Sequence, residues 1–492
     1  MTIEAFITAK SKGRYREITE MAYEEGGFGR LYKAKDFYRN GAEVCIKVIK
    51  PNLPRDLQLK MWQDEVRALS KYARRSNIVN LVDKPYEFTG QDKYLFFVMD
   101  YVRGDRLGSS KYKIELSLGR NLATLALFQL CSAIYSIHQR GEYHQDIFPD
   151  NIKMNGDDLI LLDMGGMRET ARRSGTVIFG GEIYSAPEVS PSRLRIKKFR
   201  TMRKAKMGSF ETADIFSIGA IFYELIMGKT FFETPDESNQ LKEFIYDYYS
   251  DLPEPNQAIV GASKAHKADL IRRLIKMKQE YHGIIRKYLQ RLETYKGFLT
   301  QQGFSAALSE LLTNALSLFP PERPKAEDLL AALFPYMMDE AKASFSKGDW
   351  TGSLKWFKHL ERHFDEMTLE CKDEDPLFRE RVVRHLQTHL SVYLRTCLGA
   401  GASLFYLGFF SQAKEKFFKA EEVLAHQAQL LSVEARETYV LKIRNNLAAC
   451  TFMSGQVKKA REEFERLLKA VEGASSVVRA NLAICTRFTP ET

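Results

Sequence analysis

Short apolar segments near the start of the chain predict a small β-rich region. The segments 15–24, 29–38 and 42–50 are each rich in aromatic or β-branched residues and are bounded by Gly, Asn or Pro. Segment 61–73 instead places its apolar residues three and four apart, which is typical of a helix. We therefore expect strands interrupted by one helix over residues 15–101.

Helical periodicity dominates from about residue 119 onward. Segment 121–141 is the clearest case, and its last residue, Gly141, is a suitable C-cap. The pattern predicts a larger helical region behind the small β-rich one. A later stripe has apolar residues at helical spacing and predicts a packed core face rather than a cofactor or partner site: Leu270, Leu274, Met277, Tyr281, Ile284 and Tyr288.

Three segments after residue 336 share one pattern. Each has Gly, a small residue five positions later, Phe four after that, and Ala or Leu three after that; the small residues are Ser353, Ala413 and Ala460. This resembles tetratricopeptide repeats, in which the small residue permits close approach of helices and the Phe fills the gap between neighbouring helices. The spacings of 60 and 47 residues exceed the ~34 of that family. The resemblance implies an all-α helical repeat domain over 336–492 whose concave face binds a protein partner, with bracing of the first region as the alternative.

Composition is that of a globular protein with more than one domain. The 492 residues are 45% hydrophobic and 28% charged, which favours two or three domains. The six cysteines are scattered, with no CxxC pair and no His at metal-ligand spacing, so neither disulfides nor structural zinc are expected. No apolar run reaches the ~18 residues of a membrane span and the start lacks a signal-peptide core. We expect a soluble, cytoplasmic protein.

The net charge of +10 is concentrated in places. Eight cations occur without an acid between Glu188 and Glu211: Arg193, Arg195, Lys197, Lys198, Arg200, Arg203, Lys204 and Lys206. This stretch is either a solvated loop or a contact for an anionic partner such as an acidic peptide, a nucleic acid or a lipid headgroup. Segment 264–296 is also basic.

Candidate phosphate-binding groups occur in the β-rich region. Gly26, Gly27 and Gly29 lie between two predicted strands, where the absence of Cβ lets backbone N–H groups approach phosphates. Lys47 follows on a strand, and Glu65 follows on the predicted helix. A strand lysine paired with a helix glutamate can orient nucleotide phosphates.

Three polar residues converge later in the chain. Asp146 and Asn151 lie five apart in a Pro-containing loop, and Asp163 ends an apolar strand twelve residues further on. Oxygen ligands of this kind suit Mg²⁺, which takes few protein oxygens and several phosphate oxygens.

These motifs resemble those of the eukaryotic-like protein kinases. The Gly-rich loop, strand lysine, helix glutamate and HxDxxxxN loop are followed by Asp163-Met164-Gly165, Ala186-Pro187-Glu188 and Asp214-Ile215-Phe216-Ser217-Ile218-Gly219. The resemblance implies an α+β bilobal kinase fold over 1–335, with an N-lobe at 15–101, a C-lobe at 102–335 and basic insertions at about 190–210 and 255–300. Arg323 matches the arginine that pairs with the glutamate of the Ala-Pro-Glu motif.

The resemblance also implies a role for each candidate residue. Lys47 would hold the α- and β-phosphates of ATP and pair with Glu65, Asp146 would take the proton of the acceptor hydroxyl, and Asn151 and Asp163 would hold Mg²⁺. Gly26, Gly27 and Gly29 would contact the phosphates. The adenine pocket would be lined by Met99, by the hinge from Asp100 to Val102, and by Lys153.

Several positions depart from the family pattern. Glu24 replaces the first glycine of the phosphate loop, and Lys153 replaces an apolar residue under the purine. Phe148 replaces the lysine two residues after the catalytic aspartate, and Gly181 replaces the threonine before the Ala-Pro-Glu motif. Gln145 replaces an arginine that pairs with activation-loop phosphate, which argues against activation by that route.

The sequence therefore predicts a Ser/Thr-type protein kinase that acts on a protein substrate and uses ATP and Mg²⁺. The departures keep open a pseudokinase scaffold that binds nucleotide without efficient transfer. A small-molecule phosphotransferase is a further alternative, disfavoured by Glu188, Arg323 and the Asp214–Gly219 motif.

Overall fold

The computed structural model describes residues 1–21, 29–73, 75–83, 85–89, 92–109, 119–165, 168–169, 183–189, 211–251, 264–470 and 476–488. The chain divides into two compact units, Met1–Leu330 and Ala331–Thr492. The first is a β-rich small lobe followed by a helical large lobe, and the second is helical. The bilobal fold and the helical repeat domain expected from the sequence are thus confirmed.

The small lobe is built on an antiparallel sheet of order β1-β2-β3-β4. Its elements are α1 (Ile3–Lys10), β1 (Tyr15–Glu20), β2 (Gly29–Asp36), β3 (Ala42–Ile49), α2 (Arg55–Lys71) and β4 (Phe96–Asp100). Ile3 and Ile7 of α1 join the core formed by Tyr32, Val44 and Ile46 of the sheet. The packed small lobe therefore starts before residue 15, where the sequence pattern placed its beginning.

The large lobe combines short strands with long helices. Its elements are β5 (Asp105–Arg106), α3 (Arg120–Gln139), β6 (Glu142–Tyr143), β7 (Ile152–Asn155), β8 (Asp158–Leu161), β9 (Arg168–Glu169), α4 (Glu211–Met227), α5 (Pro235–Asp251), α6 (Lys264–Gln301) and α7 (Ala306–Ala315). Helix α3 ends as expected, with Gly141 at a φ of 69°. Of the apolar stripe predicted on α6, Tyr288 is buried, whereas the side chains of Leu270, Leu274 and Met277 lie outside the described residues.

Helix α8 (Ala326–Ser346) begins in the first unit and ends in the second. The second unit continues with α9 (Trp350–Glu370), α10 (Pro376–Thr388), α11 (Leu390–Tyr406), α12 (Phe410–Gln427), α13 (Val433–Met453), α14 (Val457–Ala470) and α15 (Ser476–Phe488). Among the described residues, no helix is long and apolar enough to cross a membrane.

The three repeated segments have the same local geometry. Gly348, Gly408 and Gly455 adopt φ values of 78°, 84° and 81°, and each of these glycines lets the chain reverse between two helices. The small residues of the pattern, Ser353, Ala413 and Ala460, are fully buried. Their burial permits close approach of neighbouring helices, as the sequence pattern predicted.

The phenylalanines of the pattern fill the space between helices. A Cβ added to Gly399 would lie 2.2 Å from the Phe357 ring, and one added to Gly401 would lie 2.5 Å from the Phe417 ring. Helix α11 thus receives an aromatic ring from α9 and another from α12. The absence of side chains at these two glycines is what makes room for the rings.

Candidate active site

Lys47 lies between two carboxylates at the base of the small lobe. Its Nζ donates to Glu65 Oε1 at 2.5 Å and to Asp163 Oδ2 at 3.0 Å. Strand β3 carries the lysine, helix α2 the glutamate, and the segment after β8 the aspartate. The structure thus brings together three predicted site residues that are widely separated in sequence.

The environment of this cluster shifts the pKa values of its members. Burial alone would lower the pKa of Lys47, but the charges of Asp163 and Glu65 raise it above its usual value. Lys47 is therefore cationic at neutral pH. Burial raises the pKa of Glu65 above its usual value, and the charge of Lys47 opposes this shift.

Asp146 and Asn151 face each other in the loop after β6. Asn151 Nδ2 donates to Asp146 Oδ2 and to the Asp146 carbonyl oxygen, both at 3.0 Å. Asp146 Oδ1 is buried and accepts no hydrogen bond from the described residues. Burial, followed by the charge of Asp163, raises the pKa of Asp146 to about 7. This carboxylate can accept a proton near neutral pH.

Asp214, at the start of α4, holds the loop that carries Asp146. Its Oδ2 accepts from His144 N and its Oδ1 from Gln145 N, both at 2.7 Å, and His138 Nε2 lies 3.0 Å from Oδ2. Gln145 has a φ of 64°, a conformation uncommon for a side-chain-bearing residue, which these bonds maintain. The sequence motif contains Asp214 but does not indicate its role, and it does not include His138. An acidic residue in the first turn of an otherwise apolar helix is the sequence signal for the role of Asp214.

The predicted adenine-site residues lie at the end of β4 and on β7. Met99 is buried on β4, and Asp100 and Val102 follow it. Lys153 Nζ donates to the Val102 carbonyl oxygen at 3.2 Å and lies 5.5 Å from the centre of the Tyr101 ring. The lysine therefore contacts the segment predicted to be the hinge.

Gly29 is the one glycine of the predicted phosphate loop within the described residues. A Cβ at this position would lie 2.7 Å from the Val48 carbonyl oxygen, so the close pairing of β2 with β3 requires glycine. Gly26, Gly27, Glu24, Gly181 and the basic cluster 193–206 lie outside the described residues.

Arg323 and Glu188 form a buried bidentate ion pair. Arg323 Nη1 and Nη2 donate to Glu188 Oε1 and Oε2 at 2.6 and 2.8 Å. Nε of the same arginine donates to the Ser317 carbonyl oxygen at 2.7 Å. The pairing expected from the resemblance is therefore present and ties residues 183–189 to the end of the large lobe.

The chemistry of Asn151 and Asp163 fits Mg²⁺. Both offer hard oxygen ligands, and Asn151 uses its amide nitrogen on Asp146, so its Oδ1 is the atom that would ligate a metal. Within the described ranges, no group of three or more His, Cys, Asp or Glu could hold a metal ion. Mg²⁺ held by one carboxylate, one amide and phosphate oxygens needs no such group. The roles of these residues remain predictions.

Comparisons with known proteins agree with this arrangement. The family model for the protein kinase domain matches residues 23–335. Mitogen-activated protein kinase 12 of Homo sapiens is 31% identical over 250 residues, which cover 47% of this chain and 63% of that protein. The Mus musculus protein of the same name is 30% identical over 268 residues, or 51% of this chain and 68% of its own length.

A plant kinase is also similar. CBL-interacting serine/threonine-protein kinase 20 of Arabidopsis thaliana is 28% identical over 214 residues, covering 42% of this chain and 43% of that protein. The chain thus spans less than two thirds of the human and plant relatives that it matches.

Proposed function

Because the chain belongs to the protein kinase family, whose members use ATP and Mg²⁺, we propose that it transfers the γ-phosphate of ATP to a Ser or Thr hydroxyl of a protein. The observation that carries this proposal is the position of Lys47, hydrogen-bonded to both Glu65 and Asp163. Phosphoryl transfer depends mostly on positioning and charge stabilisation, and this cluster supplies both.

Each residue then has a defined task. Lys47, oriented by Glu65, binds phosphate oxygens of ATP, and Asp146 orients the acceptor hydroxyl and takes its proton through the buried Oδ1. Asn151 and Asp163 would hold Mg²⁺, which when bound neutralises phosphate charge. Asn151 also fixes the Asp146 side chain through its amide.

The test is phosphotransfer from labelled ATP to a generic protein substrate with Mg²⁺. Asp146→Asn should lower kcat by about 10²–10⁴-fold, the usual contribution of a positioned base. Asp150→Asn, a change of the same kind in the same loop, is the matched control and should keep activity. Undiminished transfer in both Asp163→Ala and Lys47→Ala would contradict the roles given above.

A pseudokinase scaffold is the second candidate, favoured by the contact between Lys153 and the Val102 carbonyl oxygen. Because the ammonium group occupies a backbone acceptor of the proposed hinge, adenine would bind without that hydrogen bond, and a nucleotide held in this way is less well positioned for transfer. A rise in melting temperature with ATP and Mg²⁺, without phosphotransfer to any substrate, would select this alternative.

We further propose that the helical repeats recruit a protein partner, in the manner of tetratricopeptide repeats. The repeated Gly turns and the buried Ser353, Ala413 and Ala460 support this assignment. A partner captured by the full chain should be lost when the chain is truncated after residue 346. Retention by the truncated chain would favour a bracing role for the repeats.

Two finer expectations stay within this proposal. The basic cluster 193–206 would recognise an acidic substrate or surface, and reversing the charge at Arg195, Lys197, Lys198 and Arg200 should weaken binding most at low salt. A cytoplasmic site of action accords with six cysteines that are all free thiols.

A further inference from the structure

A segment of helix α15 resembles a segment of helix α13 in sequence. Residues 444–452 and 479–487 share Arg, Asn, Leu, Ala, Cys and Thr at the same relative positions, with an offset of 35 residues, as from Cys450 to Cys485. This offset is close to the ~34 of tetratricopeptide repeats. Helix α15 therefore occupies, in a further repeat, the place that α13 occupies in its own.

The two helices differ in how much of one face is covered. Asn445, Ala448 and Thr451 of α13 are buried. Ala448 packs in one cluster with Phe464 of α14, and Asn445 Oδ1 accepts from Asn481 of α15 at 3.1 Å. This face of α13 is thus covered by the two helices that follow it.

The equivalent residues of α15, at positions 480, 483 and 486, are exposed. Their side of α15 forms, with one residue of α14, an open cleft of about 490 Å³. It is lined by Leu468, Arg479, Leu482, Ala483, Thr486 and Arg487. The cleft lies on the face of α15 that corresponds to the face of α13 covered by α14.

The charge and the exposed apolar side chains of α15 indicate what kind of partner the cleft binds. Two of the six lining residues are arginines, and α15 contains no Asp or Glu. Large apolar side chains on the same helix are also exposed: Val477, Ile484 and Phe488. A second copy bound face to face would bring the arginines of both copies together, which disfavours self-association.

We propose that this cleft binds an acidic amphipathic helix of a partner protein. The proposal rests on the recruiting role given to the repeats and assigns that role to the cleft on α15. The partner helix would place small and aromatic residues four apart in the cleft, as α14 places Ala460 and Phe464 on α13. Acidic residues on its flanks would face Arg479 and Arg487.

The probe is a fluorescent peptide of residues 457–470 carrying Lys458→Glu, Lys459→Glu and Lys469→Glu. Its binding to the full-length chain is measured by anisotropy, and binding that is lost with Phe464→Ala in the peptide supports the proposal. In the protein, Ala483→Trp and the pair Arg479→Glu with Arg487→Glu should each weaken binding by about tenfold or more. Arg436→Glu on α13, outside the cleft, is the matched control and should leave binding unchanged.

Other outcomes would overturn the proposal. These are binding that Ala483→Trp and the arginine pair leave unchanged, no binding at millimolar peptide, or a concentration-dependent dimer in sedimentation that Ala483→Trp abolishes. Circular dichroism checks that the variants fold. If the Ala483→Trp variant does not fold, the double variant Arg479→Glu with Arg487→Glu provides the test by itself. A natural partner that the Ala483→Trp chain still retains would leave recruitment intact and reject only the cleft.

Discussion

At the scale of single residues, Phe148 is the departure from the kinase family pattern with the clearest expected effect on catalysis. It lies in the loop of Asp146, where protein kinases of the Ser/Thr type carry a lysine that neutralises charge on the transferred phosphate. Losing one such group costs about 10²–10³-fold in rate, by analogy with deletion of an oxyanion-hole donor. We expect Phe148→Lys to raise kcat for phosphotransfer by at least about tenfold.

Phe148→Leu serves as the control for this prediction because it alters packing without adding charge. Rate constants measured at saturating ATP separate the effect on transfer from an effect on binding. An equal gain in the leucine variant, or no gain with lysine, would mean that charge at residue 148 does not limit the reaction.

Arg14 and Asp36 form a buried ion pair in the small lobe, away from the candidate active site. Asp36 is fully buried and accepts from Arg14 Nε at 2.8 Å, from Arg14 Nη2 at 2.6 Å and from Tyr38 N at 2.9 Å. Asp36→Asn should lower the free energy of unfolding by about 2–3 kcal/mol, because it leaves a mostly buried guanidinium incompletely paired.

Urea denaturation measures this loss. The exposed pair of Lys35 and Glu17 provides the comparison, and Glu17→Gln should cost less than about 1 kcal/mol. Similar losses in both variants would show that burial does not strengthen the Arg14–Asp36 pair.

At the scale of elements, α4 positions the catalytic loop through one side chain. Asp214 uses both carboxylate oxygens, for His144 N and Gln145 N. Asparagine has a single acceptor oxygen, so Asp214→Asn must break at least one of these bonds and release the strained backbone at Gln145. We expect kcat to fall about 10²-fold, the cost of misplacing a catalytic group by about 1 Å.

The same variant should leave KM for ATP nearly unchanged, because Lys47 and Glu65 lie on other elements. Steady-state kinetics in ATP provides the test. Glu224→Gln is the comparison variant, because it removes a different carboxylate of α4, which accepts a hydrogen bond from Tyr184. A parallel rise in KM would indicate general damage to the fold rather than loop misplacement.

The elements themselves were largely predictable, but their partners were not. Residue composition predicts a strand at Lys47 and the spacing of apolar residues predicts a helix at Glu65, and these residues lie on β3 and α2 as expected. Helix α1 was missed because its few apolar residues acquire meaning only against the sheet, where Ile3 and Ile7 are buried. Likewise, the bond from Lys153 to Val102 joins residues 51 positions apart, which local patterns do not encode.

At the scale of the molecule, the helical repeats show which packing contacts follow from a local sequence pattern and which do not. The sequence predicted that small residues and phenylalanines would pack, and Phe357 and Phe417 do pack. Their receiving positions, Gly399 and Gly401, were not predicted because they lie on a different helix. The repeat from α13 to α15 is likewise outside the predicted pattern, because that pattern covers the Gly-to-Phe segments and not the helices before them.

The helical unit also contains a histidine cluster, with His363 and His385 buried and His389 half-buried, that should make its stability depend on pH. His363 Nε2 lies 3.0 Å from His385 Nε2, so one ring donates to the other and at most one hydrogen lies between them. The His389 ring contacts the His385 ring in a tilted arrangement and the Phe334 ring edge-on, with ring centres 4.7 and 4.8 Å apart. Burial lowers the pKa of His389 below its usual value.

A lowered folded-state pKa fixes the sign of the effect. As the pH falls below about 6.5, the unfolded chain binds a proton at His389 that the folded chain does not yet accept, so folding becomes less favourable. The stabilisation is complete above that pH and is lost as the pH falls through the folded-state pKa. We therefore expect the free energy of unfolding to decrease as the pH is lowered from 7.5 to 5.5. Urea unfolding of the full chain at several pH values, compared with His389→Gln, isolates this contribution, since glutamine does not titrate. If the variant retained the whole pH dependence, His389 would not be its source.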